Sequence, residues 1–450
     1  MLLSEKIAQY IEDIKTRKIP PEVVRLVKER LVDSIAVALG AYDAPPVKIS
    51  RAVVERLGGK GAVAIGVGEA SPDHAAFLNG VMVRYIDFND TYLGKEALHP
   101  SDNIPAIQAA GELMGIDGDL FIRGIVASYE VACRLADASC IRDRGWDHVT
   151  YIAISSAVGA AVALDLGFEE AVQAINLAAT PNIALRQTRV GELSMWKGCA
   201  AANAARNGLF AALLAKEGMT GPSPVFEGER GFFKQVSGEL DLDFPKNEYM
   251  ISKTSIKRHP VEYHSMSAVD SVLILRDRLG EVDISKIEKI DVETFTVSYQ
   301  IIVKDPEKWR PKTKETADHS LPYIVATTLY DGYIWIDSYD EDKIGRKPVL
   351  DLIDKMEIKV GDGFDKYYPE GIPNRIKIYI TDGSVAEELV IYPKGHFKNP
   401  MTVDELYDKY SRLTKEVITN YKDVWDLVWR LDTIDNIREI NETINAGLKK

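Results

Sequence analysis

The sequence predicts a mainly α protein with a second, α+β domain, and three observations carry that prediction. Over roughly the first 280 residues apolar side chains recur at steps of three and four; after Gly280 they alternate in steps of two; from Met401 the longer period returns. Residues 1–275 and 398–450 are therefore expected to form a large all-helical domain from the two ends of the chain, and 276–397 a smaller α+β domain. At 450 residues, 46% hydrophobic and 27% charged, the chain is long enough for two or three domains.

The elements follow in order. Val24, Val27, Leu31, Ile35 and Ala38 line one helical face between the start signal Pro20-Pro21 and the stop at Gly40. Gly59-Lys60-Gly61-Ala62-Val63-Ala64 resembles a dinucleotide fingerprint, but a helix (47–57) precedes it and a short strand (62–67) follows, the reverse of what a phosphate cradle needs. It reads as a loop. An apolar helix is expected at 104–114, with Ser101 or Asp102 as its cap. The runs AISSAVGAAVAL (153–164) and GCAAANAARNGLFAALLA (198–215) are rich in small residues, which let helices pack closely. Pro260 should open a helix striped by His264, Ala268, Val272, Leu275 and Leu279, where His264 reads as a core histidine. Strands are expected at 287–299, 355–360 and 374–392, the last turned by Asp382-Gly383, with a helix at 318–331 between them. The C-terminal helices within 402–418 and 423–447 are expected to return to the first domain.

Several functions are excluded early. With 55 Lys+Arg against 68 Asp+Glu the net charge is −13, so nucleic acid is not an expected partner. Cys133, Cys140 and Cys199 form no C-x-x-C pair, which fits a reducing, cytoplasmic setting without disulfides or a zinc knuckle. Glu5 and Lys6 stand where an export signal would be apolar, and the uncharged runs 149–164 and 171–185 are shorter than the ~20 residues that span a bilayer. No membrane association is expected.

Chemistry concentrates in a few polar clusters. Residues 86–103, IDFNDTYLGKEALHPSDN, bring Asp87, Asp90, Thr91 and His99 to a helix junction. His148 closes RDRGWDHVT (142–150) just before a helix, whose N-terminal dipole favours a neutral imidazole, the state a general base needs. Lys197 is the one charge from Leu193 to Ala205 and must snorkel, neutralise or meet an anion, which could be the substrate. Lys253, Lys257, Arg258 and His259 make a local cationic cluster, and Asp318-His319-Ser320-Leu321-Pro322-Tyr323 offers a phenol to a carboxylate. Two histidines, a carboxylate, several cations and a phenol, with no metal set, thiol nucleophile or nucleotide loop, suit proton abstraction beside a carboxylate. Two imidazoles in unlike surroundings also suit protonation of a departing β-hydroxyl, which is dehydratase chemistry on a polyanionic carboxylic acid.

The blocks HPSDNIPAI (99–107), GELSMWKGCAAANAARNG (191–208), FEGERGFFKQVSG (226–238), IKRHPVEYHSMSAVD (256–270) and KETADHSLPYIVA (314–326) together resemble the 2-methylcitrate dehydratase family, also called MmgE/PrpD, over about residues 5–440. The resemblance implies a helical domain built from both chain ends, an α+β lid, a homodimer, and metal-independent chemistry without a cofactor. It implies an active site of Asp87, Thr91, His99, His148 and Lys197, with Lys257 and Tyr323 among the substrate-binding groups; Thr91, and Asp87 over Asp90, come from the resemblance alone. The expected reaction is dehydration of 2-methylcitrate to 2-methyl-cis-aconitate in propionate breakdown, with citrate or cis-aconitate as possible further substrates. The same family contains cis-aconitate decarboxylases, whose loop lacks the residues YLGKEAL that here separate Thr91 from His99. That difference points to the dehydratase branch, with a decarboxylase or another hydroxy-acid lyase or epimerase as the alternative, and a non-catalytic carboxylate-binding protein as the reading of a different class.

Overall fold

The computed structural model describes residues 1–191, 193–280 and 284–449, and they fall into two compact units. The first comprises Met1–Gly191, Met195–Thr254 and Thr402–Lys450; the second is Ser255–Met401 with a short piece at 193–194.

In the first unit, α1 (Leu3–Thr16), α2 (Pro21–Gly40) and α3 (Pro45–Leu57) lead into a two-stranded ribbon of β1 (Ala62–Ala64) and β2 (Gly68–Ala70). Pro21 at the first helical position starts α2 as expected, and the buried stripe begins at Val23 rather than Val24. The glycine-rich segment is a loop between a helix and a strand, which removes it as a phosphate cradle. Then come α4 (Pro72–Arg84), a small hairpin of β3 (Tyr92–Leu93) and β4 (Ala97–Leu98), α5 (Ile104–Met114), α6 (Gly118–Ala138), α7 (Val149–Ala163), α8 (Phe168–Ala179) and α9 (Ala200–Lys216). Every residue of α7 is buried, so this helix is the axis of the unit. The small residues do what their volume allows: Ala157, Ala178 and Ala211 join α7, α8 and α9, and a Cβ on Gly208 would stand 2.4 Å from the Ala153 carbonyl oxygen.

The second unit holds α10 (Met266–Leu279), β5 (Ile287–Thr294), α11 (Thr296–Ile302), α12 (Lys314–Ala317), α13 (Leu321–Asp331), α14 (Lys347–Asp354), β6 (Met356–Val360), β7 (Asn374–Ile380) and β8 (Val385–Val390). Its sheet has the order β6-β5-β7-β8, with β5 and β6 parallel and the other pairs antiparallel. The hairpin joining β7 to β8 turns at Asp382-Gly383 as expected, with Gly383 at φ +89°. The strand expected over 287–299 ends at Thr294, because the Asp365 carboxylate accepts from both the Thr296 amide (2.7 Å) and hydroxyl (2.6 Å) and starts α11 there. Pro260 does not open a helix either. Glu262 accepts from the His264 amide at 2.9 Å, and a single tight turn over Tyr263–Ser265 leads into α10. Helix α10 packs on β7, β8 and α13, so the expected division at 276 falls inside an element of the second unit.

The chain then returns to the first unit as α15 (Val403–Thr414), α16 (Tyr421–Trp429) and α17 (Arg438–Gly447), with α15 packed on α2. Among the described residues no helix is long and apolar enough to cross a membrane.

Candidate active site

The first unit brings Asp87, Thr91, His99, His148 and Lys197 together around the end of α4 and the start of α7. Asp87 lies just beyond α4 at φ +54°, a left-handed conformation that aspartate tolerates better than most residues. One carboxylate oxygen meets Arg84 Nη1 at 2.5 Å, and the other accepts from Lys197 Nζ at 3.1 Å. All three side chains are buried. Burial works against the Arg84 charge, but Asp87 and Asp102 outweigh it and hold the guanidinium more firmly protonated than usual. The anion that the isolated Lys197 requires is therefore Asp87 of the same chain. The lysine reaches it because Gly198 lets the turn Met195–Gly198 lie against Tyr85, where a Cβ would be 2.9 Å from the Tyr85 Cα.

The residues YLGKEAL fold as the β3–β4 hairpin, pairing Tyr92 with Leu98 and Leu93 with Ala97. The hairpin is seated on the end of α6 through Glu96 N–H to the Ala136 carbonyl (2.9 Å) and Tyr92 Oη to Asp137 (2.8 Å). Its closure puts Thr91 and His99 side by side, with Thr91 Oγ1 3.5 Å from the Leu98 carbonyl. Neither Ser101 nor Asp102 caps α5, in contrast to the expectation: Pro100–Asn103 is a 3-10 turn, and both side chains accept from Asn89, at 2.8 and 3.0 Å. Buried in this way, Asp102 is pushed up to about 7 despite Arg84.

The two imidazoles are 5.9 Å apart between ring centroids and tilted by 59°. Nδ1 of His99 lies 2.7 Å from the Asp90 backbone carbonyl, which can only accept, so Nδ1 carries a hydrogen and Nε2 faces the site, 3.8 Å from Asp87 Oδ1. The orienting group is thus the Asp90 carbonyl, and the Asp90 carboxylate is spent on the Ser101 amide (3.0 Å) and Tyr129 hydroxyl (2.7 Å). His148 precedes α7 at the capping position, as expected. Its Nδ1 is 3.1 Å from Asp147 Oδ1, and its Nε2 is buried with no hydrogen-bond partner among the described residues. Burial first, then Arg189, Arg84 and Arg186, lower the His148 pKa well below the ordinary histidine value against the pull of Asp147, so the ring is neutral. Burial raises Asp147, but the Arg189 guanidinium outweighs it and keeps the carboxylate ionised. Sequence reasoning overlooked Arg84, Arg189 and the role of Asp147. Asp147 had a signal in its adjacency to His148 and Arg84 in its position three residues before Asp87; Arg189 had none.

Lys257 and Tyr323 belong to the second unit. Lys257 is buried, and its charge contributes with His264 and His319 to lowering Glu262, against the effect of burial. Tyr323 is buried and its hydroxyl donates to the Ser338 carbonyl at 2.6 Å, so the donor expected to meet a carboxylate is committed within its own unit. His264 packs against Phe295 (5.4 Å) with Nδ1 2.6 Å from Glu262, a core setting. Among the described residues no group of three or more His, Cys, Asp or Glu is placed to hold a metal ion.

A family model described as the MmgE/PrpD N-terminal domain matches residues 5–245, and one described as the MmgE/PrpD C-terminal domain matches 259–433. The chain is 30% identical to the mitochondrial 2-methylcitrate dehydratase of Yarrowia lipolytica, over 73% of this chain and 67% of the relative. It is 28% identical to the 2-methylcitrate dehydratase of Escherichia coli K12, over 76% and 75%. A cis-aconitate decarboxylase-like protein of Aspergillus oryzae is 26% identical over 99% of this chain and 98% of its own length.

Proposed function

The chain belongs to the MmgE/PrpD family, and on that premise we propose that it is a hydro-lyase that dehydrates 2-methylcitrate to 2-methyl-cis-aconitate without a metal. The observation that carries the reading is the pair of imidazoles 5.9 Å apart in opposite electrostatic surroundings. His148 sits among arginines and is neutral, with Nε2 lacking a partner; His99 has its Nε2 beside the Asp87 carboxylate. In the proposed step His148 Nε2 takes the proton from the carbon next to a substrate carboxylate. The electron pair of that C–H bond becomes the new C=C bond, and the hydroxyl leaves as water with the Nε2 proton of His99, which enters the step as an imidazolium and ends it neutral, its Nδ1–H still on the Asp90 carbonyl.

Lys197, paired with Asp87 before substrate arrives, is the cation that offsets charge building on the carboxylate in the transition state, and Thr91, beside the Leu98 carbonyl, is the hydroxyl that would join in binding substrate. Lys257 and Tyr323 would grip a second carboxylate, and Tyr323 does so only by releasing the Ser338 carbonyl. The homodimer implied by the resemblance is part of the proposal, and sedimentation velocity should return twice the chain mass.

The test incubates purified protein with 2-methylcitrate, citrate and cis-aconitate, with and without EDTA, following absorbance of the conjugated double bond together with carbon dioxide. Alkene without gas, unchanged by EDTA, is the expected result. Gas from cis-aconitate would assign a decarboxylase instead, and loss of turnover in EDTA would overturn metal independence.

A further inference from the structure

We propose that Arg189 is a positioning residue of the site, fixing the Asp147 carboxylate against His148 and tethering the turn that carries Lys197, so that imidazole and ammonium keep one spacing. This inference rests on the reading of His148 as the general base.

The geometry is specific. Arg189 Nε is 3.0 Å from Asp147 Oδ1, the oxygen that also lies 3.1 Å from His148 Nδ1. Arg189 Nη1 points to the Lys197 backbone carbonyl at 3.5 Å. One guanidinium therefore touches the residue that orients the base and the residue that carries the ammonium, 42 and 8 positions away in the chain. Its own segment is held in place by backbone pairing. Asp147 N–H donates to the Ala184 carbonyl (2.8 Å), Arg186 N–H donates to the Gly145 carbonyl (3.0 Å), and Trp146 bridges Leu185. The fork is not placed there to satisfy itself, since Nη2 is buried without an acceptor among the described residues. A planar, largely covered guanidinium whose segment is anchored by backbone pairing suits orientation, because little rotamer freedom remains to be lost when the site forms.

The charged groups that bear on His148 are Asp147, Arg189, Arg84 and Arg186, with the His99 ring beside them. Of the arginines, Arg189 opposes protonation of the imidazole most strongly. Removing it should therefore let the ring protonate at higher pH as well as loosen it. A guanidinium that merely neutralised Asp147 would shift the titration in the same direction, so the loss of kcat in Arg189→Lys, where the charge is kept, separates positioning from charge balance.

The experiment compares wild type, Arg189→Gln and Arg189→Lys by steady-state kinetics across pH and by NMR titration of the His148 imidazole in ligand-free enzyme. For Arg189→Gln, kcat should fall about 100-fold, as a small misplacement of catalytic groups does, with KM within about threefold. The acid limb of kcat/KM should move to higher pH, and the His148 resonance should titrate at higher pH too. Arg189→Lys keeps the buried charge balanced and guards against misfolding; its acid limb should stay near wild type while kcat drops about tenfold through the lost fork. An unmoved acid limb with an unchanged His148 titration in Arg189→Gln would overturn the proposal. If wild type itself fails to dehydrate 2-methylcitrate, the functional reading falls, while the NMR comparison still decides whether Arg189 holds His148.

Discussion

At the level of single residues, His148 shows how one environment sets both reactivity and stability. Its native pKa lies well below the ordinary value, chiefly through burial and then Arg189. Below about pH 6.5 the unfolded chain takes a proton that the native ring refuses. The contribution of this residue to stability is thus complete above that pH and is lost as the pH falls. His148→Asn should lower kcat by about 100- to 10,000-fold. It should also flatten the decline in urea-unfolding free energy between pH 7 and pH 5.5; equal declines in variant and wild type would refute the neutral-imidazole assignment. At this scale much of the site was legible in the sequence. His148 before a helix and Lys197 alone in an uncharged run each announce an unusual demand on solvation. The partners were not legible, because Asp87 is 110 residues from Lys197 and nothing local in either segment encodes the meeting.

Among the elements, the loop after α4 is held from a distance. Lys409 of α15 donates to the Phe88 carbonyl at 2.9 Å, lies 3.8 Å from the Phe88 ring centre and pairs with buried Asp33 of α2 at 2.5 Å. Lys409→Met should destabilise the protein by roughly 3–5 kcal/mol, since it strands a buried carboxylate. The double variant Asp33→Asn/Lys409→Met should regain a large part of that in chemical denaturation, and a purely additive cycle would refute the coupling. Gly198 tests the other wall. Its Cβ would meet the Tyr85 ring at 2.7 Å, so Gly198→Ala should push the Lys197 turn outward and cut kcat by about 100-fold with only a modest change in melting temperature. Unaltered kcat would show that the close approach is unrelated to activity. Element types were read correctly where periodicity ran long, as in α2, and where small uncharged residues ran together, as in α7. They were misread where a side chain from elsewhere intervened, as Asp365 does at Thr296.

For the whole molecule, the first unit depends on its C-terminal return. Glu112 of α5 accepts from the Val63 amide of β1 at 2.6 Å and from Asn441 of α17 at 2.8 Å, tying three remote stretches into one buried polar knot. Burial pushes its carboxyl up to about 8. The native state therefore keeps a proton that the unfolded chain has already released, and the stability this confers is complete at acid pH and lost as the pH rises through about 8. Glu112→Gln cannot ionise, so its melting temperature should fall less than that of wild type between pH 6 and pH 9; an identical fall would reject the raised pKa.

By itself the sequence determined the change of period from helix to strand and back, the return of the C-terminal helices, and which histidines and lysines stand in settings that demand a chemical partner. These are local matters, set by side-chain spacing and by the cost of burying charge. Only the tertiary structure decided which acid joins the site, that seven residues between Thr91 and His99 close into a hairpin, and that Arg189 reaches Asp147 and the Lys197 carbonyl. Such pairings form between segments that no period relates, and they become visible only when packing brings them within hydrogen-bond range.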